Sequence, residues 1–268
     1  MRRVLTATAI IIAIPFLLGG ALWAGQERLI FLPDPRPLSA PAGWERPSLQ
    51  TADGLDLAFL LAPPPGPEGV VILHFHGNGG NAADRTGLGA LLNRAGFGIV
   101  LAEYRGYGGN PGRPSEEALA ADARAYLDWT RARFPAARIA LWGESLGSGV
   151  VTRLAEGRQD IAAIVLESPF TSVRELAAGM LHPWLPTEAL LRHPFESLAR
   201  LPGVSAPVLV VASEQDRITP ADHARRMAAG AREGRLVLLP GRAHPAVLND
   251  AGGEGARAAV AFLRGVPR

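Results

Sequence analysis

Residues 143 to 147 read Gly-Glu-Ser-Leu-Gly, a serine framed by two glycines directly after the apolar run "RIALW". A serine hydroxyl is a weak nucleophile until a base takes its proton and a carboxylate orients that base. On a tight strand-to-helix turn the hydroxyl of Ser145 would stand clear of the backbone, and side chains at Gly143 and Gly147 would collide with neighbouring main chain. The plain alternative is a glycine-rich turn whose serine caps a helix, so the partners decide. Asp216 follows the apolar run "PVLVVAS", in the loop "EQDRITP", and His244 follows the last such run, "RLVLLPG", in "RAHPA". The order Ser, Asp, His is one of the chain orders in which such triads occur. Glu214, Asp222 and Asp250 are weaker candidates: one sits too near the strand, one inside the next helix, and one beyond the histidine.

Acyl transfer also requires donors for a developing oxyanion. The backbone N–H of Leu146, directly after the serine, supplies one. The glycine-rich loop "HGNGGN", residues 76 to 81, is placed to supply the second from Asn78. His74 and His76 fall on one face of a strand, but no carboxylate cluster accompanies them, so no metal site is expected. The loop lacks the Gly-Lys-Ser/Thr ending of a phosphate cradle. His223 reads as a solvated helix residue, while His182 and His193 fall in a proline-rich connector. The chemistry predicted is covalent catalysis by Ser145, Asp216 and His244, with Asn78 and Leu146 at the oxyanion and with neither metal nor organic cofactor.

Side chains this far apart in sequence must be brought together by a scaffold. The run "GLDLAFLLA" alternates like a strand, and "VVILHF", "GIVLAEY", "RIALWG", "AAIVLES", "PVLVVAS" and "RLVLLPG" are short continuous apolar runs, the mark of strands buried on both faces. Amphipathic helical stretches lie between them. The clearest spans Ser115 to Phe134 and stops before Pro135, with Ser115 as its cap and only part of a capping box. Alternating strands and helices predict an α/β domain with a mostly parallel sheet and helices on both faces, and chemistry at the carboxyl ends of its strands.

The chain has 268 residues, 48% hydrophobic, enough for a core of ordinary size. It contains no cysteine, which excludes disulfides, thiolate metal sites and a cysteine nucleophile. All 27 basic residues are arginine, against 25 acidic, and no aromatic-basic stripe marks a nucleic-acid partner. From Val4 to Trp23 run 20 residues without an ionisable side chain, behind Arg2 and Arg3. At about 1.5 Å per residue the run matches a hydrocarbon core of roughly 30 Å. The bulky exit "ALWAGQ" fits an uncleaved anchor better than a cleaved signal. The positive-inside bias puts the rest of the chain on the non-cytoplasmic side. The alternative is secretion after cleavage. Residues 1–26 are therefore assigned to the anchor, 27–47 to a proline-rich segment that is either a tether or a wrapped lead-in, and 48–268 to the folded domain.

The motifs "RLIFLPDP", "LHFHGNGGN", "YRGYGGNPGRPSEEALAADARAYLDW", "GESLG" and "DRITP", with the final His244, resemble the alpha/beta-hydrolase superfamily from about Arg28 onward. Within it they resemble the small membrane-anchored branch that includes bud-emergence type hydrolases and protein depalmitoylases. The resemblance implies the alpha/beta-hydrolase fold with a short cap or connector, and the triad and oxyanion donors already named. It makes Tyr104 to Gly108 a substrate-side loop or a packing motif, with packing favoured. Pro245 departs from the branch, where a polar residue often follows the histidine. Substrate choice is assigned to the connector 169–207, expected between the sixth and seventh core strands, with Met180, Leu181, Trp184, Leu185, Leu190 and Leu191 available either to line an acyl pocket or simply to cover the sheet. Together these readings predict hydrolysis of carboxylic esters or thioesters with an apolar acyl group from a small-molecule or lipid-like substrate. A serine peptidase is the first alternative, and a hydrolase-fold membrane protein without turnover the second. Serine at the elbow separates the chain from relatives that use an aspartate there.

Overall fold

The structure is a computed structural model that describes residues 19–20, 23–180, 190–250 and 252–266. The apolar run from Val4 to Trp23 lies almost wholly outside the described residues, as do His182, Leu181, Trp184 and Leu185 of the connector. Among the described residues no helix is long and apolar enough to cross a membrane.

Seven strands form one sheet in the order β3-β5-β4-β6-β7-β8-β9. They are β3 (Leu60–Ala62), β4 (Val70–Phe75), β5 (Gly98–Ala102), β6 (Arg138–Glu144), β7 (Ala163–Glu167), β8 (Val208–Ser213) and β9 (Gly234–Leu239). Only β3 runs antiparallel, against β5; every other neighbouring pair is parallel. The alternating run "GLDLAFLLA" is divided between two sheets. Its first part, β2 (Asp56–Ala58), pairs with β1 (Ser48–Gln50) in a separate two-stranded sheet, and Phe59 turns the chain into β3. The connector consequently lies between the fifth and sixth strands of the main sheet, β7 and β8, one earlier than predicted.

The continuous apolar runs of β4 to β8 become strands buried on both sides, whereas "RLVLLPG", expected to do the same, forms the edge strand β9 and is exposed at Gly234, Arg235 and Leu236, since no strand pairs beyond it. In β4, Val71, Leu73 and Phe75 join one core layer while Val70 and Ile72 join the other. The first layer is covered by α2 (Glu116–Arg133), α3 (Leu146–Ala155) and α5 (Ala221–Gly230); α2 contributes Leu119, Ala123, Tyr126 and Leu127 at helical spacing. The second is covered by α1 (Thr86–Arg94) and α6 (Glu254–Arg264), the latter through Ala256, Ala259, Phe262 and Leu263. A further helix, α4 (Val173–Met180), opens the connector. Ser115 caps α2 by accepting the N–H of Ala118 at 3.1 Å.

The proline-rich segment wraps against this domain. Phe31 and Leu38 are buried in the two core layers, the ring of Trp44 lies over Gly89 of α1, and residues 23–30 are helical. Prolines deny the segment regular strands or helices beyond residue 30, so its order comes from packing.

Candidate active site

Because the central strands are parallel, the loops after β4, β6, β7, β8 and β9 all emerge at one edge of the sheet. The chain winds outward from β4 in both directions, so the crevice between the ends of β4 and β6 is where such sheets bind ligands. Ser145 stands there, between the last residue of β6 and the first of α3. Its φ of +48° lies in the left-handed region, a conformation a non-glycine residue keeps only when its surroundings impose it. Here the Ser145 N–H donates to the carbonyl of Glu167 at 2.8 Å on the adjacent strand end. The flanking glycines are obligatory. A Cβ on Gly147 would lie 2.1 Å from the Phe75 carbonyl oxygen, and one on Gly143 would lie 2.5 Å from that of Gly147.

Three side chains from three loops form one hydrogen-bonded relay. Ser145 Oγ is 3.1 Å from His244 Nε2, and His244 Nδ1 is 2.7 Å from Asp216 Oδ2. The second oxygen of Asp216 accepts the N–H groups of Ile218 at 2.8 Å and Thr219 at 3.0 Å. Burial alone would raise the Asp216 pKa, but the His244 bond and charge and these two N–H groups outweigh it and leave the carboxyl below its ordinary value. An ionised Asp216 therefore faces His244. Thr219, not singled out in the sequence although it stands in "DRITP", donates through its hydroxyl toward Asp216 Oδ2 at 3.1 Å and lies 3.2 Å from the carbonyl of Ser168. Glu214, Asp222 and Asp250 have no bond to His244.

A second layer, at the end of β7, was also invisible in the sequence. The buried carboxylate of Glu167 accepts N–H from Val247 at 2.7 Å and Leu248 at 2.8 Å, and the indole N–H of Trp142 at 3.0 Å. The next residue, Ser168, accepts the N–H of Ala246 at 3.1 Å on its hydroxyl. These bonds hold the three residues that follow Pro245. Burial, joined by the charge of Glu144 on the neighbouring strand, pushes the Glu167 carboxyl up to about 7. Glu144 moves the other way: burial would raise it, but the Arg85 guanidinium grips both its oxygens, at 2.6 and 2.9 Å, and holds it down.

Leu146 and Asn78 both line the cavity with Ser145. Leu146 is the first residue of α3, so its N–H is among the helix's orphan donors. The Asn78 side chain is turned away into the scaffold, its Oδ1 accepting the Leu32 N–H and the Tyr107 hydroxyl, each at 2.9 Å. The Tyr104 hydroxyl donates to the His76 carbonyl at 2.8 Å. Tyr104 and Tyr107 thus brace the "HGNGGN" loop from below, the packing role that the resemblance implied.

The cavity over Ser145 encloses about 610 Å³, within the usual range for a small-molecule site. Leu190 and Leu191 of the connector line it as predicted; Leu181, Trp184 and Leu185 lie outside the described residues, and for Met180 the side chain does. Phe170, with Val173, Leu176 and Ala177 of α4, completes that wall, and Leu29, Ile30 and Leu32 of the lead-in form the opposite one. Gln26 ties the two walls together: its Oε1 accepts the Arg192 N–H at 2.7 Å and its Nε2 donates to the Leu190 carbonyl at 3.0 Å. The lead-in is therefore part of the cavity.

The other histidines among the described residues are structural. His76 pairs with Glu103 at 2.8 Å, and His74 stacks on Trp142, its pKa lowered to about 3 by burial. His193 is buried edge-on against Phe31. His223, expected in solvent, is buried with its Nδ1 2.8 Å from the Thr171 hydroxyl, because its face of α5 packs on the loop after β7. Among the described residues no group of three or more His, Asp or Glu side chains could hold a metal ion.

A mostly parallel sheet flanked by helices, with a serine at a tight strand-to-helix turn, defines a hydrolase scaffold. The family described as alpha/beta hydrolase fold matches residues 70–206, and the chain belongs to it. A family described as TAP-like protein matches residues 188–264. The chain is 43% identical over 232 residues to the Mycobacterium tuberculosis protein Rv2307c, covering 83% of this chain and 82% of that one. It is 32% identical over 201 residues to the lysophosphatidylserine lipase ABHD12 of Danio rerio, covering 68% of this chain but only 51% of the lipase. The esterase PF2001 of Pyrococcus furiosus shares the fold, with a TM-score of 0.71 at 17% identity over 88% of this chain and 98% of that one.

Proposed function

We propose that the protein is a serine hydrolase that cleaves carboxylic esters or thioesters of apolar acyl groups. The observation that carries this reading is the unbroken relay from Ser145 through His244 to Asp216 at the wall of an apolar cavity. Ser145 Oγ attacks the acyl carbonyl carbon while its proton passes to His244 Nε2. Asp216 fixes the tautomer with the proton on Nδ1 and stabilises the imidazolium. The backbone N–H groups of Leu146 and Asn78 take the negative charge on the carbonyl oxygen. His244 then protonates the leaving alcohol or thiol as the tetrahedral intermediate collapses to an acyl-enzyme. Water repeats the cycle, giving its proton to His244, and releases the acid.

The apolar walls favour an acyl chain over a polar residue as occupant. A relative named as a lysophosphatidylserine lipase supports a lipid-like ester, as does the uncharged run from Val4 to Trp23, which we read as an anchor holding the domain at the non-cytoplasmic face of a membrane.

The test is hydrolysis of acyl esters graded from acetyl to long-chain by the full chain, with Ser145→Ala as control. Turnover by wild type and none by the serine variant is expected, with an optimum beyond the shortest acyl chains. Residual activity in Ser145→Ala would remove the serine from the mechanism. Labelling of Ser145 by a fluorophosphonate without turnover of any ester would move the substrate class toward peptides.

A further inference from the structure

At the mouth of the cavity the fold leaves large apolar side chains in water. Leu29, Leu32 and Ile218 are 66%, 56% and 52% exposed, and all three line the same cavity as Ser145 and His244. Trp23, 49% exposed, stands six residues before Leu29 on the same helical segment, 4.7 Å from the Arg192 guanidinium. Two exposed arginines flank these residues, Arg28 beside Leu29 and Arg217 beside Ile218, and neither has a hydrogen bond or ion pair among the described residues. The neighbouring carboxylate of Glu27 is already held by Arg192 at 3.0 Å. The rim thus combines apolar side chains with uncompensated positive charge.

What covers such a rim follows from the chain leading to it. The 20-residue run without ionisable side chains ends at Trp23, and the helix 23–30 continues from there to the rim. Gln26, bonded to Leu190 and Arg192, fixes that helix to the domain. A bilayer that holds the run is therefore adjacent to the rim. Exposed leucine, isoleucine and tryptophan enter the interfacial layer, and arginines meet the phosphates of anionic lipid.

We propose that Trp23, Leu29, Leu32 and Ile218, with Arg28 and Arg217, form a docking surface for an anionic phospholipid bilayer, so that the catalytic cavity opens into the membrane interface. This goes beyond the hydrolytic reading, and its test needs no turnover, so failure of one is distinguishable from failure of the other.

The chain has no cysteine, so Ile218→Cys and, separately, Leu32→Cys each provide a sole thiol for an environment-sensitive fluorophore. The full chain is reconstituted in vesicles of phosphatidylcholine mixed with phosphatidylglycerol. Both probes are expected to shift to the blue and to be quenched by brominated acyl chains. The same probe at Gln159→Cys, an exposed position before β7 and so at the opposite end of the sheet, is expected to do neither. Arg28→Gln combined with Arg217→Gln should lower the docked-to-undocked ratio by about 25-fold, roughly fivefold per arginine, as should vesicles of pure phosphatidylcholine. Probes at 218 and 32 that stay unshifted and unquenched overturn the proposal, as does equal quenching at position 159. Quenching indifferent to both arginines and to lipid charge overturns the anionic assignment.

Discussion

Replacing Glu167 separates what its shape does from what its charge does. The carboxylate takes three buried donors, the N–H groups of Val247 and Leu248 and the indole of Trp142. Glu167→Leu strands all three, at about 1–3 kcal/mol for each unsatisfied group. That sum approaches the whole stability of an ordinary domain, about 5–15 kcal/mol, so the loop after His244 should detach before the sheet melts. Glu167→Gln keeps one oxygen for Val247 and Leu248 and loses only the indole bond, about 1–3 kcal/mol. The two variants also differ from wild type in pH dependence. With its pKa raised from 4.5 to about 7 by burial and by Glu144, the native state holds a proton that the unfolded state has released. The contribution of Glu167 to stability should therefore fall as pH rises from about 4.5 to about 7, by on the order of 3 kcal/mol at the top of that window. Urea unfolding of the full chain at several pH values between 5 and 8, with kcat for a short ester measured in parallel, checks this. Measured against Glu167→Gln, wild type should lose stability progressively across the window, because the opposing gain from buried His74 is common to both, while Glu167→Leu should lose most of its kcat. A Gln variant with the wild-type slope would refute the assignment of that slope to Glu167. A Leu variant with wild-type kcat would show that these bonds do not position His244.

Thr219→Val, which deletes the hydroxyl shared between Asp216 and Ser168, should lower kcat about tenfold with little change in KM, measured by steady-state ester hydrolysis. Gly147→Ala forces a Cβ to 2.1 Å from the Phe75 carbonyl and should leave little soluble folded protein, as judged by size exclusion. Arg85→Met strips the paired cation from buried Glu144 and should cost about 3–5 kcal/mol in urea unfolding, partly restored when Glu144→Gln is added. Asp216, whose pKa is held below 3.8, stabilises the fold above that pH and loses its contribution as pH falls through its lower folded value. Asp216→Asn should flatten this acid limb of a thermal-melting series and cut kcat by about 10⁴.

The sheet was legible because strands buried on both faces must be continuously apolar, and the runs from "VVILHF" to "PVLVVAS" are; the edge strand β9 has the same pattern without the burial. Ser145, Asp216 and His244 were legible because each follows such a run at the edge where parallel strands end. The partners that hold them were not. Val247 finds Glu167 across 80 residues and Leu32 finds Asn78 across 46, and no local pattern records a contact over such separations. The lead-in was legible only as proline-rich chain that forms no regular element; its place in the cavity wall comes from Phe31, Leu38 and Gln26 meeting surfaces built elsewhere. His223 was misjudged for a similar reason: its helix shows its polarity in the sequence, but not that Thr171 waits beneath it.

Two consecutive residues at the end of β7 bond Ser145 directly and the neighbours of His244 and Asp216. The carbonyl of Glu167 receives the N–H of Ser145, its carboxylate receives Val247 and Leu248, and Ser168 receives Ala246 on its hydroxyl, with its carbonyl 3.2 Å from the Thr219 hydroxyl. Ser145, His244 and Asp216 are thus referenced to one short piece of chain. When the sheet breathes, that piece carries all three in the same direction, and the gap between Ser145 Oγ and His244 Nε2 is a difference from which the shared displacement cancels. A proton-transfer distance can then be kept steadier than any of the loops that define it.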